Sequence, residues 1–143
     1  MKYSITLPLP QQWKSEIESY IDESGEEITH LGAVDGDLGN IDIYAGPMPE
    51  DETAEDQALA NYVEVVGFDE SNPDDFNPIQ KIKFNGKNAW IFSALCEEGG
   101  VMRFISQEVR SGVLAIIAFT AADDPALEQL QGTIERGLRI KNQ

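Results

Sequence analysis

One cysteine and one histidine stand among 143 residues, and that scarcity closes off several chemistries before any pattern is read. A lone Cys96 forms no intramolecular disulfide, so neither a disulfide framework nor an oxidising compartment is implied. A zinc site draws three or four ligands from Cys, His and carboxylates at close quarters, which Cys96 and His30 hardly supply. Glu97 and Glu98 flank Cys96, and negative neighbours oppose thiolate formation, against a nucleophilic role. There is no G-x-S-x-G elbow, no phosphate-binding loop and no H-E-x-x-H pair, and the "EEGG" of Glu97 to Gly100 lacks the strand-loop-helix setting of a dinucleotide loop. Hydrolase, kinase and dinucleotide-binding readings lose support together, and the expectation is a chain that is not an enzyme and carries no cofactor.

Long apolar runs are missing as well. The longest, "GVLAIIAF" at Gly112 to Phe119, has the length of a strand, well short of the ~18 residues a membrane helix needs. The opening "MKYSITLPLPQQWKSEIE" is interrupted by Ser4, Thr6, Pro8 and Pro10, so a leader or anchor is not expected and a cytoplasmic location is the economical reading. Basic residues are scarce in the first part of the chain. Residues 1–80 hold 19 acids against Lys2 and Lys14 alone, a balance of -17, whereas residues 81–143 hold 7 acids and 8 bases, and the whole chain sums to -16. Such a field repels nucleic acid and anionic lipid and favours a basic protein partner or cations.

What is present fits an ordinary globular domain. Hydrophobic residues make up 41% and charged ones 25%, with mean hydropathy -0.31, and a single domain spanning 1–143 buries roughly 68–70% of its unfolded surface. "KYSITLP" alternates Tyr3, Ile5 and Leu7 against polar neighbours, as a strand does. Trp13, Ile17, Tyr20 and Ile21 fall at i, i+4, i+7 and i+8 after Pro10, the spacing of a short amphipathic helix ending near Gly25. "EITHLGAV" and "NIDIYA" predict two strands joined by "DGDLG". "PEDETAEDQALANYVEVVGF" predicts a helix with Leu59, Tyr62, Val63 and Val66 on its stripe, acids in its first turns and Gly67 at its end. "DESNPDDFNP" reads as a loop.

From Gln80 onward four strand-like runs form a meander, opened by Asn85-Gly86, the strongest short hairpin signal. A two-residue turn there sets Phe84 against Lys87, with Ile82, Phe84, Ala89, Ile91 and Leu95 on one face and Trp90 and Phe92 on the other. Apolar groups on both faces call for helices on both. The last helix follows in "DDPALEQLQGTIERGL", capped by Asp123 or Asp124, with Leu127, Leu130, Ile134 and Leu138 facing inward.

The order "IKFNGKNAWIF", "VMRFISQEV", "GVLAIIAFT" and "ALEQLQGTIERGLRI", with an opening "ITLPLPQQW", resembles the PsbP-like fold family. That family includes the extrinsic photosystem subunit, a Ran-binding import factor and bacterial adaptor chaperones. The resemblance implies an α+β fold, an antiparallel sheet of about six to seven strands in a PsbP-like α/β/α sandwich, used for binding. Gly137 replaces a serine that often precedes the closing L-x-I segment, and no family ligand residue maps onto this chain.

Four groups are candidates for function. In "VDGDLGNIDIY", Asp35 and Asp37 match positions 1 and 3 of a calcium loop, but Gly39, Asn40 and Gly46 stand where positions 5, 6 and 12 need an acid, a glycine and a glutamate. The expectation is a turn with Asp35, Asp37 and Asp42 exposed; the alternative is a weak calcium site assembled with Asp69, Glu70, Asp74 or Asp75. His30 shares a strand face with Ile28, Gly32 and Val34, as a satisfied, partly buried histidine or, alternatively, a base or ligand. Lys81, Lys83 and Lys87 gather at the Asn-Gly hairpin near Trp90, expected as an edge-protecting or salt-bridging set, with a phosphate or RNA contact the alternative. The acidic segment Glu50, Asp51, Glu52, Glu55 and Asp56 is the candidate partner surface of a non-enzymatic binding or adaptor module. A carrier with a pocket lined by Trp13, Trp90 or Phe92 is the alternative, and an acid-base enzyme built on His30 the third reading.

Overall fold

The computed structural model describes residues 2–36, 39–67, 78–97 and 99–143. In chain order the elements are β1 (Tyr3–Thr6), β2 (Lys14–Ile21), β3 (Glu27–Asp35), β4 (Gly39–Pro47), α1 (Ala54–Val66), β5 (Gln80–Phe84), β6 (Lys87–Leu95), β7 (Val101–Arg110), β8 (Val113–Ala121), α2 (Asp124–Gly137) and β9 (Arg139–Asn142). Seven strands pair in the order β2-β3-β4-β8-β7-β6-β5, and β1 pairs with β9 in a separate two-stranded sheet. Every pairing is antiparallel. The fold is α+β and mostly sheet, as the sequence predicts.

The meander is built as its turns require. Asn85 and Gly86 both take positive φ, 53° and 80°, and close a two-residue turn that sets Phe84 opposite Lys87 and Ile82 opposite Ala89. Gln107, buried on β7, donates through Nε2 to Phe84 O at 2.7 Å and so ties the hairpin to the next strand. At α2, Asp123 accepts from Ala126 N, Pro125 occupies the first turn, and Leu127 and Ile134 are wholly buried. Burying such a side chain contributes about 1.5–3 kcal/mol, which outweighs the helix's modest intrinsic propensity.

The main core gathers Ile41 and Ile43 of β4, Ile105 of β7, Ile117 and Phe119 of β8, and Tyr3 and Ile5 of β1. A second, smaller cluster packs Phe92 and Ile79 against Ala58 of α1, with Tyr62, Trp90 and Phe104 beside it. Successive residues of β7 therefore address different helices. Ile105 shares its core with Leu127 and Ile134, and Arg103 reaches Glu128 and Gln131 of α2 at 2.7 Å each, whereas buried Ser106 donates to Ala54 O of α1 at 2.7 Å.

Three expectations are overturned. The helix read over Trp13 to Ile21 is the strand β2, and Gly25 sits at φ 86° in the turn to β3, closed by Asp22 Oδ1 accepting from Ser24 N and Glu26 N. All eight residues of β2 are exposed, so no buried face imposed a period of two on its side chains, and a helical spacing arose by accident. On α1 the buried residues are Ala54 and Ala58, while Leu59, Val63 and Val66 are exposed at 48%, 46% and 48%; small residues let the helix lie close on Phe92 and left the larger stripe outside. Asp35 and Asp42 are not exposed turn acids: Asp35 is buried in β3, and Asp42 stands in β4 with its side chain against a neighbour. Asp37 and the acids Asp69, Glu70, Asp74 and Asp75 lie outside the described residues.

Candidate functional site

His30 lies on β3 between β2 and β4, and strand register decides what surrounds it. Glu18 of β2 and Tyr44 of β4 are its direct cross-strand partners, and Asp42 pairs with Gly32, one step along the same face. Gly32 leaves that step open. A Cβ there would lie 3.4 Å from Asp42 Oδ1 and 3.5 Å from His30 Cε1, in ordinary contact with both, so Gly32 leaves the Asp42 carboxylate and the imidazole ample room to meet.

The geometry is close. His30 Nε2 lies 2.8 Å from Asp42 Oδ1, and Nδ1 lies 3.5 Å from Glu18 Oε1. A carboxylate only accepts, so Nε2 carries the proton toward Asp42, and the ring donates to both carboxylates only in its doubly protonated form. The imidazole stacks on the Tyr44 ring with centroids 4.4 Å apart and planes 6° from parallel. Burial, aided by the Asp42, Tyr20 and Glu18 side chains, pushes the Tyr44 phenol above its usual range. Tyr20 is shifted the same way by burial and by Asp22 and Glu18. Both phenols therefore stay neutral well into alkaline solution. His30 is 19% exposed at its side chain, Asp42 37% and Glu18 70%, and a cleft of ≈ 300 Å³ runs beside them, lined by Lys14, Glu16, Glu18, His30, Gly32 and Val34. A satisfied, partly buried histidine was expected from the sequence; its partners were not.

The site therefore sets two stacked rings beside two carboxylates, groups whose chemistry suits a cation. The main contacts of α1 among the described residues are with β6 and β7 and those of α2 with β7 and β8. Among the described residues no group of three or more His, Cys, Asp and Glu side chains is arranged to hold a metal ion.

The predicted acidic segment is placed elsewhere, in the link from β4 and the first turn of α1. Its five acids are all exposed, but two are engaged locally. Asp56 accepts from Thr53 N while Thr53 Oγ1 accepts from Asp56 N, a capping box, and Glu52 accepts from Gln57. Glu52 also borders a cleft of ≈ 300 Å³ with Lys87, Trp90 and Glu108. Trp13 is buried in the main core, and Phe92, buried in the smaller one, borders a cleft of ≈ 380 Å³ with Ile82, Ile91 and Arg103. A cavity of ≈ 830 Å³ opens at one end of the sheet beside Val65, Leu95, Cys96, Met102 and Thr120. Lys81 and Lys83 stand on β5, the last strand of the sheet, and Lys87 Nζ donates to Val109 O. No helix of the described residues is long and apolar enough to cross a membrane.

No protein-family model, curated protein or solved structure matches this chain.

Proposed function

We propose that this chain is a non-enzymatic binding or adaptor module that takes a basic protein partner on its acidic surface, in the cytoplasm. The observation that carries the reading is the face of β2, β3 and β4 on which Glu18 and Asp42 flank the stacked His30 and Tyr44 rings, away from the main helix contacts of the described residues. A lysine or arginine laid on those rings meets two carboxylates, and the acidic balance of residues 1–80 draws it in. The segment Glu50 to Asp56 supplies a second acidic patch in this reading, through Glu50, Asp51 and Glu55. A PsbP-like layering of helices against sheet belongs to the reading too, supported by the alternation of β7 side chains between α1 and α2. The second reading, a small-molecule carrier, is favoured by the ≈ 830 Å³ cavity beside Leu95 and Met102.

The test compares partner capture by the wild type with that by Glu18→Gln/Asp42→Asn and by Glu50→Gln/Asp51→Asn/Glu55→Gln. The same captured proteins should leave the wild type at high salt and be missing from the first variant. A set retained by both variants and indifferent to salt removes the reading, and a ligand released from the denatured wild type but not from Leu95→Trp would favour the carrier.

A further inference from the structure

The seven-stranded sheet ends in two strands of opposite character. β2 carries Glu16 and Glu18 with Ile17 between them, and β5 carries Lys81 and Lys83 with Ile82 between them. The four charged residues lie on one face. The cross-strand row that starts at Glu18 runs through His30, Tyr44, Ile116, Ser106 and Trp90 and ends at Lys81. Six antiparallel steps separate the two edges, so β2 and β5 run in the same direction.

Charged residues on an exposed edge block strand pairing between copies, and either sign would serve both edges equally well. Opposite signs do more than block. Two β2 edges meeting antiparallel place Glu16 against Glu18, or one of these acids against itself, except in the register that sets Lys14 against Glu16, which pairs only the three residues 14–16; two β5 edges set Lys81 and Lys83 against each other or against themselves. The combination that matches opposite charges without shortening the pairing is β5 of one copy beside β2 of the next. A translation combined with the rotation that continues the sheet's twist brings these together as parallel strands with the same faces aligned, and one register sets Lys81 beside Glu16, Ile82 beside Ile17 and Lys83 beside Glu18.

We infer that copies of this chain associate head to tail through this β5-to-β2 contact, extending one sheet from copy to copy. The second copy is favoured over an unrelated strand because the complementary edge is already present on the chain. With neighbouring strands rotated by roughly −20 to −25°, each copy turns the sheet by about half a turn, so the contact is open-ended and builds short helical runs rather than a closed dimer. The remaining acids of each copy repel one another, and at physiological salt that repulsion is confined to about 8 Å.

Sedimentation velocity of the full chain over rising concentration checks the contact. Mass is expected to grow past the dimer without a plateau. Glu16→Lys/Glu18→Lys and, separately, Lys81→Glu/Lys83→Glu should each weaken association about tenfold or more, and all four changes in one chain should restore it. The four positions are exposed, and circular dichroism confirms that each variant is folded. A wild type that stays monomeric, a mass that stops at the dimer, or a four-fold variant no better than its parents overturns the inference.

Discussion

Replacing Gly39 by alanine tests what the turn between β3 and β4 is for. Gly39 takes φ +125°, and a Cβ built on it falls 2.0 Å from Thr120 O and 2.9 Å from Thr120 C on β8. Both atoms are backbone, so no side-chain rotation relieves the contact, and β4 has to lift from β8 at this end. Holding a side-chain residue in that backbone region costs of order 1–3 kcal/mol. Lifting the strand also endangers Asn40 N donating to Thr120 Oγ1 at 3.2 Å and Thr120 Oγ1 donating to Asn40 Oδ1 at 2.7 Å, each contributing about 0.5–1.5 kcal/mol. The sum is about 2–6 kcal/mol, a fall in Tm of roughly 6–20 °C for a chain of this size. Gly36, in the same turn, meets nothing within 4 Å and has no left-handed φ, so Gly36→Ala should stay within about 0.5 kcal/mol of wild type. Urea denaturation followed by circular dichroism measures both. Equal stabilities for the two variants would show that the close approach to Thr120 does not set the turn.

Leu127→Ala or Ile134→Ala, each removing a side chain with no exposure on α2, should lower stability by about 2–5 kcal/mol with an unchanged denaturant slope. At high pH the raised Tyr44 pKa means the folded chain holds its phenol proton more tightly than the unfolded one. The resulting stability is in full force below the ordinary value of 10.0 and is lost as pH rises through the raised one, so Tyr44→Phe should flatten the decline in urea midpoint between about pH 10 and 12. Asp22 is shifted the other way by the Ser24 hydroxyl and by the backbone amides of Glu26 and Ser24. Its contribution to the β2–β3 turn stands above the ordinary 3.8 and fades as pH falls through the lowered value, so acid, or Asp22→Ala, should speed hydrogen exchange at Ser24 and Glu26 N–H and leave β7 unchanged.

The elements that the sequence made legible are those whose local chemistry agrees with their place in the fold. Asn85-Gly86, the Asp123 cap with Pro125, and Gly67 after α1 each satisfy a backbone need that holds wherever the chain is packed. β2 has no such agreement, since an edge strand exposed on both faces has no core side to pattern it, and Ile17, Tyr20 and Ile21 carry no period that distinguishes strand from helix. The site was hidden for a different reason. His30, Asp42 and Tyr44 are far apart along the chain in the terms a motif uses, and only the pairing of Thr29 with Ala45 and of Leu31 with Ile43 places them on one face. Parity within the two predicted strands held that information; Gly32, which admits the Asp42 side chain, was the residue that pointed to it.

Charge along the sequence becomes charge across the sheet through strand order. β2, β3 and β4 form one end and β8, β7, β6 and β5 the other, so the acidic and near-neutral parts of the chain are largely separated, with α1 carrying Glu55, Asp56 and Glu64 over to β6 and β7. Glu18 then sits at a junction. It faces His30 on the sheet surface, and it stands on the outer strand where the next copy's Lys83 would lie. A basic partner engaged at Glu18 and a neighbouring copy engaged at the same carboxylate therefore exclude each other. On the two proposals together, partner binding ends a run of copies at the β2 edge, and the length of the run falls as the partner is added.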